Sequence, residues 1–310
     1  MARPVLLDTD IAGDVDDALA LALLAGCPEL DLVGVTVVGC DNSHRAKAAL
    51  SILQLAGTPD VEVCLGSEDP VLRRRRRMPV DVDHYPEPAA SPSSEPAAER
   101  IVRAAQETEH LELLAIGPLT NLARAVALDR NLPRNVDRLT IMGGHVGEVR
   151  IGDVVVAPGV DYNLVHDPEA TMAVLGAGFN LRLVPAEITL QTWLRPDDVQ
   201  AWKDNGQPLT TLLADLVDRW TPIQTAIFTH IGAPPTVDNA AFLHDPLTVL
   251  SLVDDSAITF DTMKVVPTIA EGGLLRTHRS PSEHLGVDAE VAVAVDAGRA
   301  RDQILERLAQ

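Results

Sequence analysis

Over its first 150 residues the chain alternates short apolar runs with stretches of helical period. Runs rich in Val, Leu and Ile occupy 4–9, 30–39, 61–66, 111–116 and 138–142. They are nearly continuous rather than alternating with polar residues. That is the pattern of parallel strands covered on both faces. Between them, 16–26, 43–57, 96–108 and 119–128 read as helices. The second ends at Gly57-Thr-Pro59, glycine just past the last turn and then proline, the expected stop. Alternation of this kind predicts a doubly wound α/β fold with a largely parallel, Rossmann-like open sheet and flanking helices. Farther along, 168–176, 209–229 and 298–309 read as helices, and 180–184, 258–270 and 288–295 as strands. With no internal repeat and no evident linker, residues 1–310 read as one α/β domain. The stretch 67–95, rich in Pro, Ser and charge without apolar period, reads as a long flap loop.

Composition narrows the function. The chain is 46% hydrophobic over 310 residues, enough for a large core. Its formal net charge of −20 argues against a nucleic acid polymer as partner, because phosphate neutralisation needs Lys and Arg. The exception is a run of five arginines at 73–77. Like-charge blocks are usually solvated loops, with a phosphate or partner contact as the sharper alternative. Cys27, Cys40 and Cys64 are neither paired nor spaced as a zinc site. Asp8 and Asp10 cut the apolar start, and no uninterrupted apolar stretch reaches the roughly 20 residues a bilayer needs. The expectation is a cytoplasmic protein without a membrane partner.

The densest chemistry is Asp8-Thr-Asp-Ile-Ala-Gly-Asp-Val-Asp-Asp17, between the first strand and the first helix. Helix capping accounts for one or two of these acids. Asp10, Asp14, Asp16 and Asp17 crowded together repel unless a cation neutralises them. Oxygen-only donors suit Ca²⁺ or Mg²⁺ rather than Zn²⁺. The C-terminal end of a strand is also where open α/β sheets bind ligands. Three further constellations are weaker singly. His244-Asp-Pro246 reads as the start of a helix. In Gly159-Val-Asp-Tyr-Asn163, Asp161 and Asn163 would alternate in an extended segment and point to one side, suiting sugar hydroxyls. Ile116-Gly-Pro-Leu-Thr-Asn121 and Met142-Gly-Gly144 fall at strand ends, where glycine lets backbone approach a ligand.

In this order and spacing the motifs resemble those of the nucleoside hydrolase family, the inosine–uridine-preferring type, from Val5 to about Val249. The opening aspartates joined to the late His-Asp-Pro are the specific part. The resemblance implies hydrolysis of the N-glycosidic bond of ribonucleosides with Ca²⁺ as cofactor. It makes Asp10, Asp17, Asp245 and the carbonyl of Ile116 the metal ligands, and Asp10 also the base that accepts the proton of water. Asp16, Asn163 and Asp161 would hold the ribose, and His244 would protonate the departing base. Met142 and Cys40 would line the substrate pocket, and His84 matches a histidine of the family's mobile flap. The resemblance also implies a homodimer or homotetramer. Three departures stand out. The opening loop is two residues longer than the family's usual Asp-x-Asp-Pro-Gly-x-Asp-Asp and carries the extra Asp14; Cys40 stands where Asn is frequent; and no Asn lies at the usual place between Gly144 and Asp161. A same-fold hydrolase of a modified nucleoside and a non-catalytic nucleoside sensor remain alternatives. A metal-dependent phosphohydrolase would want a Lys or Arg clamp at a strand end, and none stands there.

Overall fold

The computed structural model describes residues 2–72, 80 and 82–309; the arginine run at 73–77 lies outside the described residues. Strands β1 (Arg3–Thr9), β2 (Leu30–Val37), β3 (Val63–Leu65), β4 (Glu112–Ala115) and β5 (Arg138–Met142) fall on the five apolar runs, trimmed at their ends. Two short ribbons, β6 (Val149–Ile151) with β7 (Val154–Val156) and β9 (Trp193–Leu194) with β10 (Ala241–Phe242), are separate from the main sheet. β8 (Leu181–Val184), β11 (Ile258–Ile269), β12 (Leu275–Arg279) and β13 (Val287–Val295) complete the strands. The main sheet has the order β12-β11-β13-β8-β5-β4-β1-β2-β3. From β13 to β3 every pairing is parallel; β11 pairs antiparallel with both β13 and β12. The largely parallel α/β sheet is therefore as expected, with an antiparallel margin.

The helices are α1 (Asp16–Gly26), α2 (Asn42–Leu55), α3 (Ala97–Glu107), α4 (Thr120–Leu128), α5 (Leu132–Asn135), α6 (Tyr162–His166), α7 (Pro168–Leu175), α8 (Ala186–Thr189), α9 (Pro196–Asn205), α10 (Pro208–His230), α11 (His244–Val253) and α12 (Ala297–Leu308). In β1, Val5 and Leu7 face one core layer with α1, α2, α10 and α11, while Leu6 faces the opposite layer with α3, α4 and α7. The strand's period of two thus feeds both cores. Residues 16–24 of α1 are all buried. A helix apolar on every side belongs in the interior, and α1 packs against α2 and α11.

Two expectations are corrected. Asp161 and Asn163 do not alternate in an extended strand: Asp161 caps α6, accepting from Leu164 N at 2.9 Å, and Asn163 lies inside that helix. The acidic residue followed by a helix-compatible run wins over extended backbone. The β6–β7 hairpin, the β9–β10 ribbon, α5, α8, α9 and β12 were not anticipated; the two ribbons, α5 and α8 are too short for a periodic signal. No helix among the described residues is long and apolar enough to cross a membrane.

Candidate active site

Asp10 leaves the end of β1, and the chain turns sharply before α1. Ala12 takes a left-handed φ of 73°, unfavourable for a residue with a Cβ, and the turn is fastened at both sides. Thr9 Oγ1 accepts from Ile11 N at 3.1 Å and donates to the carboxylate of Asp17. Arg45, buried in α2, donates Nη1 to Ile11 O at 2.7 Å and Nε to Cys40 O at 2.9 Å. The loop is thereby tied to the β2–α2 turn. Asp16 and Asp17 then open α1, and Asp245 stands in the first turn of α11, the helix packed beside it. Both helix N-termini favour negative charge.

Asp10, Asp16, Asp17 and Asp245 are all buried, at 7%, 5%, 2% and 3% exposure. Burial pushes the Asp10 carboxyl up to about 7, against the pull of Arg45. Burial, then the charges of neighbouring aspartates, raises Asp16, Asp17 and Asp245 well above the carboxylate range. Asp10 and Asp245, from opposite ends of the chain, lie near enough for their charges to act on Asp17. Their oxygens are hard donors, and their uncompensated burial fits a divalent cation of the Ca²⁺ class. Ligand atoms of Asp14, Asp16 and Asp17 lie within 4.8 Å of one another.

His244 begins α11 beside this cluster. Its Nδ1 is 2.6 Å from Thr189 Oγ1, whose other contact, to Ala186 O, is a long 3.3 Å. The direction of that bond follows the ring's tautomer: an imidazole protonated on Nε2 accepts the Thr189 proton at Nδ1. Burial lowers the imidazole to about 4, so the ring is neutral at neutral pH. It leans on Phe242, ring centroids 5.5 Å apart, and Phe242 in turn meets Trp193 and Phe228. The β6–β7 hairpin packs on this aromatic group through Val149 and Ile151.

Asn163 Nδ2 donates to Ile116 O at 2.9 Å and to Met142 O at 3.2 Å, joining the ends of β4 and β5. The Ile116 carbonyl therefore has a side-chain partner here, with a second lone pair left. Asp161, raised by burial, sits at the same edge. Asp10, Cys40, Arg45, Tyr162 and His166 share the lining of a recess of about 350 Å³, open mouth included. His84 is half-buried in the flap, which is fastened to α2 through Lys47 with Glu87 and Gln54 with Ala89.

Several residues have supporting roles that the sequence motifs did not assign. Asp8 is buried, pushed to about 7 by burial, and accepts from Thr36 Oγ1 and from Asn121 Nδ2 at 2.8 Å. Asp167 accepts from Thr120 Oγ1 at 2.7 Å and Val71 N at 2.8 Å, anchoring the start of the flap. Thr189 and Arg45 carried no motif signal, because their roles depend on neighbours distant in sequence.

Residues 5–302 match the family model described as inosine-uridine preferring nucleoside hydrolase. The chain belongs to that family. This nucleoside hydrolase is 28% identical over 270 residues to the pyrimidine-specific ribonucleoside hydrolase RihA of Klebsiella pneumoniae (strain ATCC 700721 / MGH 78578), covering 84% of this chain and 82% of that protein. It is 30% identical, with the same coverage, to RihA of Enterobacter sp. (strain 638). Among solved structures, the plant nucleoside hydrolase PpNRh1 superposes with TM-score 0.85 at 25% identity, covering 100% of this chain and 99% of that one. The purine-preferring ribonucleoside hydrolase from Gardnerella vaginalis gives TM-score 0.84 at 23% identity, covering 99% and 98%.

Proposed function

We propose that this nucleoside hydrolase uses Ca²⁺ to hydrolyse the N-glycosidic bond of ribonucleosides, releasing ribose and a free purine or pyrimidine base. The reading rests on one observation: four buried carboxylates, from residues 10–17 and from residue 245, meet at one strand edge with Arg45 as the neighbouring cation. Asp10, Asp17, Asp245 and the Ile116 carbonyl would hold the ion. When bound, it would lower the pKa of a coordinated water. Asp10 would take the proton of the attacking water. The ribosidic bond breaks through an oxocarbenium-like sugar cation, which the surrounding carboxylates stabilise. Asp16, Asp161 and Asn163 orient the sugar hydroxyls, and Met142, Cys40 and His84 border the substrate. His244 presents Nε2–H to the leaving base, so that it departs neutral rather than as an anion.

RihA of Klebsiella pneumoniae is named pyrimidine-specific and the Gardnerella vaginalis enzyme purine-preferring, so the test spans both. Free ribose is followed from inosine, uridine, cytidine and adenosine, with and without EDTA. Ribose from at least one, abolished by EDTA and restored by Ca²⁺, is expected. No ribose from any of them sinks the reading. Cys40 in the recess and the hairpin between Gly144 and Asp161 favour one second reading, a modified nucleoside as substrate. Turnover of such a nucleoside without turnover of the four standard ones decides for it. The enzyme so read is a cytoplasmic homodimer or homotetramer, checked by light scattering.

A further inference from the structure

We propose that Asp14, carried in the lengthened loop between β1 and α1, is a fifth carboxylate of the metal centre and tightens its hold on the cation. The inference rests on the Ca²⁺ reading above and concerns a residue that reading does not use. A surface aspartate in a slack loop would point to water, and this loop is not slack. Arg45 grips Ile11 O and Thr9 grips Ile11 N. Under that clamp the side chain of Asp14 is half-buried, and its oxygens lie among those of Asp16 and Asp17. Its charge bears on Asp10, Asp16, Asp17, Asp245 and His244 together. A dication among these oxygens would offset that mutual repulsion.

A second acidic group makes the contrast. Glu62, Cys64 and Glu95 also offer ligand atoms within 4.8 Å of one another. There Arg100 meets Glu62 at 3.0 Å, and Arg103 meets Glu62 at 2.9 Å and Glu95 at 2.6 Å. Two guanidiniums already balance that group. Around Asp14 the neighbouring guanidinium, Arg45, gives Nε and Nη1 to backbone oxygens. Among the described residues, five carboxylates there face one arginine, which leaves room for a dication.

The test is calorimetric titration of Ca²⁺ into the EDTA-stripped full chain, for wild type, Asp14→Asn and, as a charge-matched control on an exposed loop, Asp60→Asn. Asp14→Asn is expected to weaken Ca²⁺ binding at least tenfold, with Asp60→Asn within about twofold of wild type. Asp14→Ser, which keeps a short hydrogen-bonding side chain in the loop, is the second variant and should show the same loss. Circular dichroism in saturating Ca²⁺ checks that each is folded. Unchanged affinity in both Asp14 variants overturns the proposal and leaves the Ca²⁺ reading standing. A wild-type chain that takes up no Ca²⁺ overturns both.

Discussion

Titrating the metal-stripped enzyme with acid separates a true cation site from a cluster of aspartates that fold together as neutral acids. In the stripped protein, burial holds Asp10 at about 7 against an ordinary 3.8. A carboxyl raised in the folded state favours folding below its unfolded value and loses that contribution as pH rises through the folded value. Ca²⁺ needs the carboxylate, so below about pH 7 it must first displace the proton. From pH 8 down to pH 5, Asp10 alone weakens Ca²⁺ binding about 100-fold, or ~2.7 kcal/mol. Asp16, Asp17 and Asp245, shifted in the same direction, steepen the dependence. At roughly 2 °C of melting temperature per kcal/mol for a chain of this size, the Ca²⁺-induced rise in Tm should be about 5 °C larger at pH 8 than at pH 5. Comparing stripped and loaded protein at each pH removes His244, which is lowered to about 4 and alone would stabilise the fold as pH rises. The assay is differential scanning calorimetry at fixed Ca²⁺ across pH 5–8. A Tm increment of the same size at pH 5 and pH 8 would refute the reasoning, because the cation would then not compete with protons for these oxygens.

Two other outcomes are expected. Thr189→Val removes the hydroxyl 2.6 Å from His244 Nδ1 at nearly constant volume, and should lower kcat on a standard nucleoside about 5- to 10-fold with little change in KM. A 4-nitrophenyl riboside, whose leaving group needs no proton, should be hydrolysed at the wild-type rate; equal losses on both substrates exclude a role through His244. Asn121→Ala breaks the bonds to Asp8 Oδ1 at 2.8 Å, Val37 O at 3.1 Å and from Ser67 N at 2.8 Å. Urea denaturation should show a loss of roughly 2–4 kcal/mol, and a loss under about 1 kcal/mol contradicts a bracing of Asp8, Val37 and Ser67 by Asn121.

Local pattern determined much of this protein. Apolar runs without alternation announced strands buried on both faces, and β1 to β5 lie on them, because a period of two or 3.6 is set by neighbours in sequence. The aspartate-rich opening was legible for the same reason: four acids in a short loop repel one another, wherever the rest of the chain goes, unless protons or a cation neutralise them. His244-Asp-Pro246 was legible as a helix start, and resemblance alone made Asp245 a ligand. Its meeting with Asp10 and Asp17 requires α1 and α11 to pack side by side, with both N-termini at one sheet edge. Tertiary structure alone decided the rest. It made Arg45 a clamp on the opening loop, aimed His244 through Thr189, turned the 161–163 segment into a capped helix, and set the β6–β7 hairpin against Phe242. Those outcomes come from contacts between residues tens to hundreds of positions apart. No local periodicity encodes such contacts, since their free energy exists only once the sheet has brought the partners together.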